Sequence, residues 1–190
     1  MNRLTAASAA ALMIAVLAQP ASATAAANSA VTSIPVDPAT QIEMHVNADC
    51  AGTRCTFNTS ANLLTPDGPT GFPGDTWARQ TITLRSSSRN VWQEVGYSAP
   101  SGTPRADKGA NHDNVLSKMY KALEDVEVSV TTFGGGPIER FSVDGDSVPT
   151  DWRSGQPNTT ANFIACSQIQ VVYGGVNLTT PTACATTTFN

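Results

Sequence analysis

Charge is what this chain has least of. Only 14% of its 190 residues are Asp, Glu, Lys or Arg, and the 11 basic ones form no cluster. Without a basic patch there is no electrostatic footprint for nucleic acid or anionic lipid, so no nucleic-acid partner is expected. Aromatics are scarce at 6%, and histidine occurs only as His45 and His112. No apolar run reaches the ~20 residues a helix needs to cross a bilayer, which excludes a transmembrane helix. No serine sits in a G-x-S-x-G elbow, and no Gly-rich stretch is followed by the Lys-Ser/Thr of a phosphate loop. Nothing in the sequence therefore requires a cofactor. The surface must be built largely from Thr, Ser, Asn, Gln and Gly, a composition that suits a β protein outside the cytoplasm.

The N-terminus agrees. Arg3 gives a thin positive region, residues 9–18 an apolar stretch, and Pro20 a break before small residues. Ala21-Ser22-Ala23 and Ala25-Ala26-Ala27 both fit an A-x-A cleavage site. Residues 1–27 are expected to be a signal peptide, cut after Ala23 or Ala27. Loss of Arg3 takes the formal charge from −4 to near −5. No cysteine lies near the cut, which argues against a lipid anchor. Residues 28–40 read as a flexible lead-in and 41–190 as a single β-rich domain. The expected location is extracellular or in the cell envelope.

The four cysteines, Cys50, Cys55, Cys166 and Cys184, allow three pairings. An oxidising compartment favours disulfides, and C-x4-C followed by two cysteines with 17 residues between them fits no usual zinc spacing. Cys50–Cys55 would clip the turn Ala51-Gly52-Thr53-Arg54. Cys166–Cys184 would close the C-terminal hairpin, whose turn lies at Gly174-Gly175. A loop centred on Gly175 puts Cys166 opposite Cys184, although Pro181 weakens that register. Along the first strand Phe163, Ala165, Ile169, Val171 and Tyr173 share a face, with Ser167 its polar exception.

Alternation marks further strands at 41–47, 55–64, 77–85, 91–97 and 126–133, with a short one at 139–143. Asp144-Gly145 reads as a turn, residues 99–111 as a mobile loop and 147–161 as a loop around Trp152. Leu116, Met119, Tyr120 and Leu123 repeat at helical spacing, so residues 114–124 are expected to form the one helix, capped by Asp113 or Asn114. The fold class is mainly β: an antiparallel β-sandwich or small open barrel of seven or eight strands, with one short helix and disulfide bracing.

Chemistry is thin. His45 stands between Glu43 and Asn47 on a polar strand face and reads as a solvated surface residue. His112 beside Asp113 is the better base–orienter pair for a hydrolase, though a loop histidine next to a helix cap is the plainer reading. Asp144, Asp146 and Asp151 could offer oxygens to calcium, but they miss the usual loop spacing. Gly134-Gly135-Gly136 could cradle an anion and reads more simply as a flexible turn. Trp77 and Trp92 fall at strand positions typical of a core, whereas Trp152, in a loop, suits contact with a sugar ring. Asn58, Asn158 and Asn177 begin N-x-S/T acceptors for glycosylation.

The stretches TTFGGGP (131–137), DWRSGQP (151–157) and QVVYGGVNLT (170–179), after an Ala-rich leader, resemble small exported actinobacterial proteins of mycobacterial type that have no assigned activity. The resemblance implies an exported or envelope-associated location and supplies no catalytic residues. The expected function is a secreted, non-catalytic module that binds an unidentified protein or envelope polysaccharide. The alternatives are a small hydrolase using His112 and Asp113, and a carbohydrate-binding module using Trp152.

Overall fold

A computed structural model describes residues 28–105, 109–110, 114–120 and 125–189, and for 109–110 and 114–120 the strand pairing alone. The strands in chain order are β1 (Asn28–Pro35), β2 (Gln41–Ala51), β3 (Arg54–Thr65), β4 (Gly68–Thr70) and β5 (Trp77–Ser86). Next come β6 (Val91–Ser98), β7 (Gly109–Ala110), β8 (Asn114–Tyr120), β9 (Asp125–Phe133) and β10 (Ser142–Asp151). The hairpin β11 (Phe163–Tyr173) and β12 (Val176–Thr179) precedes β13 (Ala183–Thr187). The described residues thus hold more strand segments than the seven or eight expected.

These strands form two antiparallel sheets. The first runs β1-β2-β3-β10-β6, with β4 also paired to β3; the second runs β12-β11-β5-β9-β8-β7, with β13 also on β11. Their apolar faces meet across one core. Ile42, Met44 and Val46 of β2, Ile82 and Leu84 of β5, Val126 and Val128 of β9, and Phe163, Ile169 and Val171 of β11 are all buried. Each such side chain removed from water is worth about 1.5–3 kcal/mol. A polar stitch joins the layers inside this core. Gln80 of β5 donates through Nε2 to Thr59 Oγ1 of β3 at 2.7 Å and to Ser167 Oγ at 3.3 Å. The polar exception on the inward face of β11 is thereby satisfied, which removes the cost of burying it.

Both disulfides form in the expected pairs, each with its Cα atoms 4.0 Å apart, so no thiol remains for zinc among the described residues. Cys50 and Cys55 face the core, whereas Cys184 faces outward. The turn between β11 and β12 is Gly174-Gly175, both glycines at positive φ, the backbone that a two-residue hairpin loop demands.

Several expectations are overturned. The helix expected over 114–124 is overturned in its described part: Asn114–Tyr120 is strand β8, paired with β9 from Asn114↔Thr132 to Tyr120↔Val126. An unpaired flank of β9 offers seven residues of ladder, and that outweighs the helical spacing. Residues 28–35 are not a flexible lead-in but an edge strand, with Pro35 at its end where a missing donor costs nothing. Asp144-Gly145 does not turn. Strand β10 runs straight through it, and Gly145 is needed because a β-carbon there would lie 2.4 Å from the Phe57 ring. Trp77 and Trp92 are only half-buried, on outward faces.

The triglycine is docked rather than flexible. Gly134, Gly135 and Gly136 donate their amides to Thr76, Gly74 and Phe72 carbonyls at 2.8, 3.2 and 2.9 Å. With those N–H groups engaged, the anion-cradle reading has no donors to stand on.

Candidate ligand-binding groove

Alternation puts one set of side chains from the first sheet into the core and the other set on its outer face. Register then decides which of the outer set become neighbours. Ser29, Asn47, Asn58 and Asp144 form one row across β1, β2, β3 and β10, and Asp49, Thr56 and Asp146 form the next. All of these but Asp146 line a groove of about 460 Å³, together with Asn28, Ala48, Phe57, Arg105 and Gly145.

One wall is Arg105, at the end of a segment, 99–105, that is tied to the sheet by hydrogen bonds. Ser101 N–H donates to the Ser142 carbonyl at 2.9 Å, Gly102 N–H to Asp144 Oδ1 at 3.0 Å, and Asn58 Nδ2 to Ser101 Oγ at 3.4 Å. Arg105 Nη1 reaches the Gly96 carbonyl at 2.7 Å and Asp146 Oδ1 at 2.9 Å. Arg54 contacts the other oxygen of Asp146. The two guanidiniums thus share one carboxylate, which leaves Asp49 and Asp144 to set the sign of the groove. Asp49 Oδ1 is shut off from solvent and has no hydrogen-bond partner among the described residues. A buried acceptor left in this state costs about 1–3 kcal/mol.

Beside the groove on the same face lies a second cluster. His45 Nε2 is 2.9 Å from Asn62 Oδ1 and 3.3 Å from Glu43 Oε2, while Asn62 Nδ2 donates to Glu43 Oε2 at 3.1 Å. Gln41 Nε2 donates to Glu43 Oε1 at 3.2 Å. Since Asn62 spends its amide on Glu43, its oxygen accepts from His45, which assigns the Nε2–H tautomer. His45 is therefore a half-exposed, hydrogen-bonded residue and not merely a solvated one.

The sequence-predicted residues scatter. His112 and Asp113 lie outside the described residues. Asp144 shares the groove with Arg105, Asp146 pairs with Arg105 beside it, and Asp151 stands at the far end of β10, five residues or roughly 16 Å beyond Asp146. No three acidic, histidine or cysteine side chains among the described residues stand close enough to hold a metal ion. No helix among them is long and apolar enough to cross a membrane.

Trp152 lies at the tip beyond β10 and is 62% exposed. Its backbone is held firmly. Asp151 Oδ1 accepts from Arg153 N, Ser154 N and Ser154 Oγ at 3.0, 2.9 and 3.0 Å, and Trp152 N–H donates to the Asn90 carbonyl at 2.8 Å. Hydrogen bonds from Ser154, first its backbone and then its hydroxyl, hold the Asp151 carboxyl below its ordinary value. Of the glycosylation acceptors, Asn58 is inside the groove, Asn158 accepts from Thr160 and Ala161 in its own loop, and Asn177 accepts from Gln170.

The groove residues were visible in sequence as outward positions of strands. Their assembly was not, because it needs the β3–β10 register and the fold-back of 99–105.

No family profile matches this chain, and no curated protein matches it. Among solved structures, the KRT10-binding region domain of the pneumococcal serine-rich repeat protein PsrP is similar at 13% identity, covering 81% of this chain and 93% of that one, with a TM-score of 0.39. The Clostridium perfringens NetB toxin in its membrane-inserted form is similar at 8% identity over 86% and 92% of the two chains, with a TM-score of 0.26. Both scores are too low for either likeness to bear on the fold or the function of this chain.

Proposed function

We propose that the protein is an exported, disulfide-braced β-sandwich that binds its ligand without transforming it, and that the outer-face groove is where it does so. The observation that carries this reading is the groove's lining: three side-chain amides (Asn28, Asn47, Asn58) and two carboxylates (Asp49, Asp144) on a rigid sheet. Amides offer donors and acceptors, and carboxylates acceptors, to the hydroxyls of a sugar. The wall cations are already committed to Asp146. Its one aromatic lining residue, Phe57, is buried in the core and only 3% exposed, which makes the groove a poor match for the apolar hot spot of a protein partner. A hydroxyl-rich polysaccharide of the cell envelope fits it best.

A second reading belongs to Trp152. An indole that is largely exposed on a braced turn is a ready platform for a sugar ring, since aromatic faces bind apolar surfaces at low entropy cost.

The test is binding of the oxidised protein to a panel of envelope polysaccharides, with Asn47→Trp to fill the groove and Trp152→Ala to remove the platform. Loss of about tenfold or more in Asn47→Trp alone, with the fold intact by circular dichroism, supports the groove, since that loss corresponds to ~1.4 kcal/mol. Loss in Trp152→Ala alone supports the tip instead. Binding unmoved by either variant, or no polysaccharide bound at all, overturns both.

A further inference from the structure

We infer that the two disulfides serve different ends, and that Cys166–Cys184 is a thiol-exchange site open to small thiols while Cys50–Cys55 is closed to them. The first bridge is shut in. Both Cys50 and Cys55 are 0% exposed and belong to the core, so a reagent reaches them only when the β2–β3 hairpin leaves that core. The second bridge sits on the outer face of the second sheet. Ala183, Ala185 and Thr187 are buried, while Thr182, Cys184 and Thr186 between them form an exposed row.

The two sulfurs of this outer bridge are not equivalent. Cys166 is 7% exposed, on a strand flanked by β13 on one side and β5 on the other. Cys184 lies on β13, which pairs with β11 alone among the described residues. Exchange depends on access and on which sulfur is attacked, so Cys184 is the electrophile. A small thiolate bonds to Cys184 Sγ, the Cys184–Cys166 bond breaks, and its electron pair leaves on Cys166 as a thiolate. The product is a mixed disulfide on Cys184 beside a free Cys166. Attack by Cys166 on that mixed disulfide expels the small thiol and restores the bridge. A second small thiolate instead carries the adduct away as its own oxidised dimer, and both cysteines are left reduced.

Strand β13 stays docked without the bridge. Its ladder with β11 runs from Phe163↔Thr187 to Ser167↔Ala183. Just before it, Thr180 and Ile169 exchange two hydrogen bonds, and Thr32 Oγ1 donates to the Pro181 carbonyl at 2.7 Å. Opening the bridge therefore changes the chemistry of the outer face and leaves the strand in place.

The inference does not rest on what the groove binds, since the groove belongs to the other sheet. Its test treats the oxidised, folded protein with reduced glutathione at about pH 8.5, where an ordinary thiol is half ionised. Samples are quenched with an alkylating reagent and mapped by peptide mass spectrometry. Cys166–Cys184 is expected to open about tenfold or more faster than Cys50–Cys55, with glutathione on Cys184, the alkyl group on Cys166 and an unchanged circular dichroism spectrum. In urea the two bridges should open at similar rates, because the fold sets the difference. Opening of both bridges together in the folded protein, of neither, or of Cys50–Cys55 first overturns the inference. So does glutathione found on Cys166, a rate difference that persists in urea, or loss of the β spectrum as the outer bridge opens.

Discussion

Cys166 faces Cys184 only because the returning strand takes up one extra residue at Pro181. Along β12 the register is Gln170↔Thr179 and Val172↔Asn177, which continued would bring Ala183 opposite Cys166. After the break it is Ser167↔Ala183 and Cys166↔Cys184. A one-residue shift turns every side chain to the other face, so the bulge is what puts the second sulfur on the outer side beside the first.

Thr180 holds that bulge. Its N–H donates to the Ile169 carbonyl at 3.0 Å, and its hydroxyl accepts from Ile169 N–H at 3.1 Å. Thr180→Ala leaves a buried N–H unsatisfied and should lower stability by about 1–3 kcal/mol. Urea unfolding of the oxidised protein measures it, and mass spectrometry should find the bridge still formed.

Gly135 packs backbone against backbone. A β-carbon there would lie 1.7 Å from the Pro73 carbonyl oxygen, and its amide already bonds Gly74. Gly135→Ala must therefore push the 71–76 segment away, at a cost of at least ~1–3 kcal/mol. Gly52→Ala is the control. It occupies a turn at positive φ with open space around it, so its penalty should be the smaller, about 1 kcal/mol. Thermal unfolding of the two variants orders them.

The Asp151 turn should depend on acid. Its folded carboxyl titrates below the ordinary 3.8, so the stability it adds is full above 3.8 and is lost as pH falls through the lowered folded value. The indole N–H resonance of Trp152 should shift only in that acid range. In Asp151→Ala it should stand at its acid position already at neutral pH. A resonance that titrates in the variant as in the parent would show that the carboxylate does not hold the turn.

The hairpins were the readable part of the sequence. Period-two alternation with Gly-Gly and Gly-Thr turns located β2, β3, β11 and β12, and the same turns paired the cysteines. What resisted reading was whatever depended on a distant neighbour. Leu116, Met119 and Tyr120 keep helical spacing, yet the exposed flank of β9 recruits them as a strand. Gly145 next to Asp144 looks like turn chemistry, and its real constraint is the Phe57 ring from another strand. The groove suffers the same blindness: Asn47, Asn58 and Asp144 are 97 residues apart at the extremes, and only their register makes them a row.

The first and last strands lie side by side, with Thr32 Oγ1 donating to the Pro181 carbonyl at 2.7 Å. The first and last described strands therefore share a single flank of the molecule. A tether placed there would present the Trp152 tip, at the far end of β10, outward, while a bulky fusion ahead of Asn28 would crowd the groove it borders.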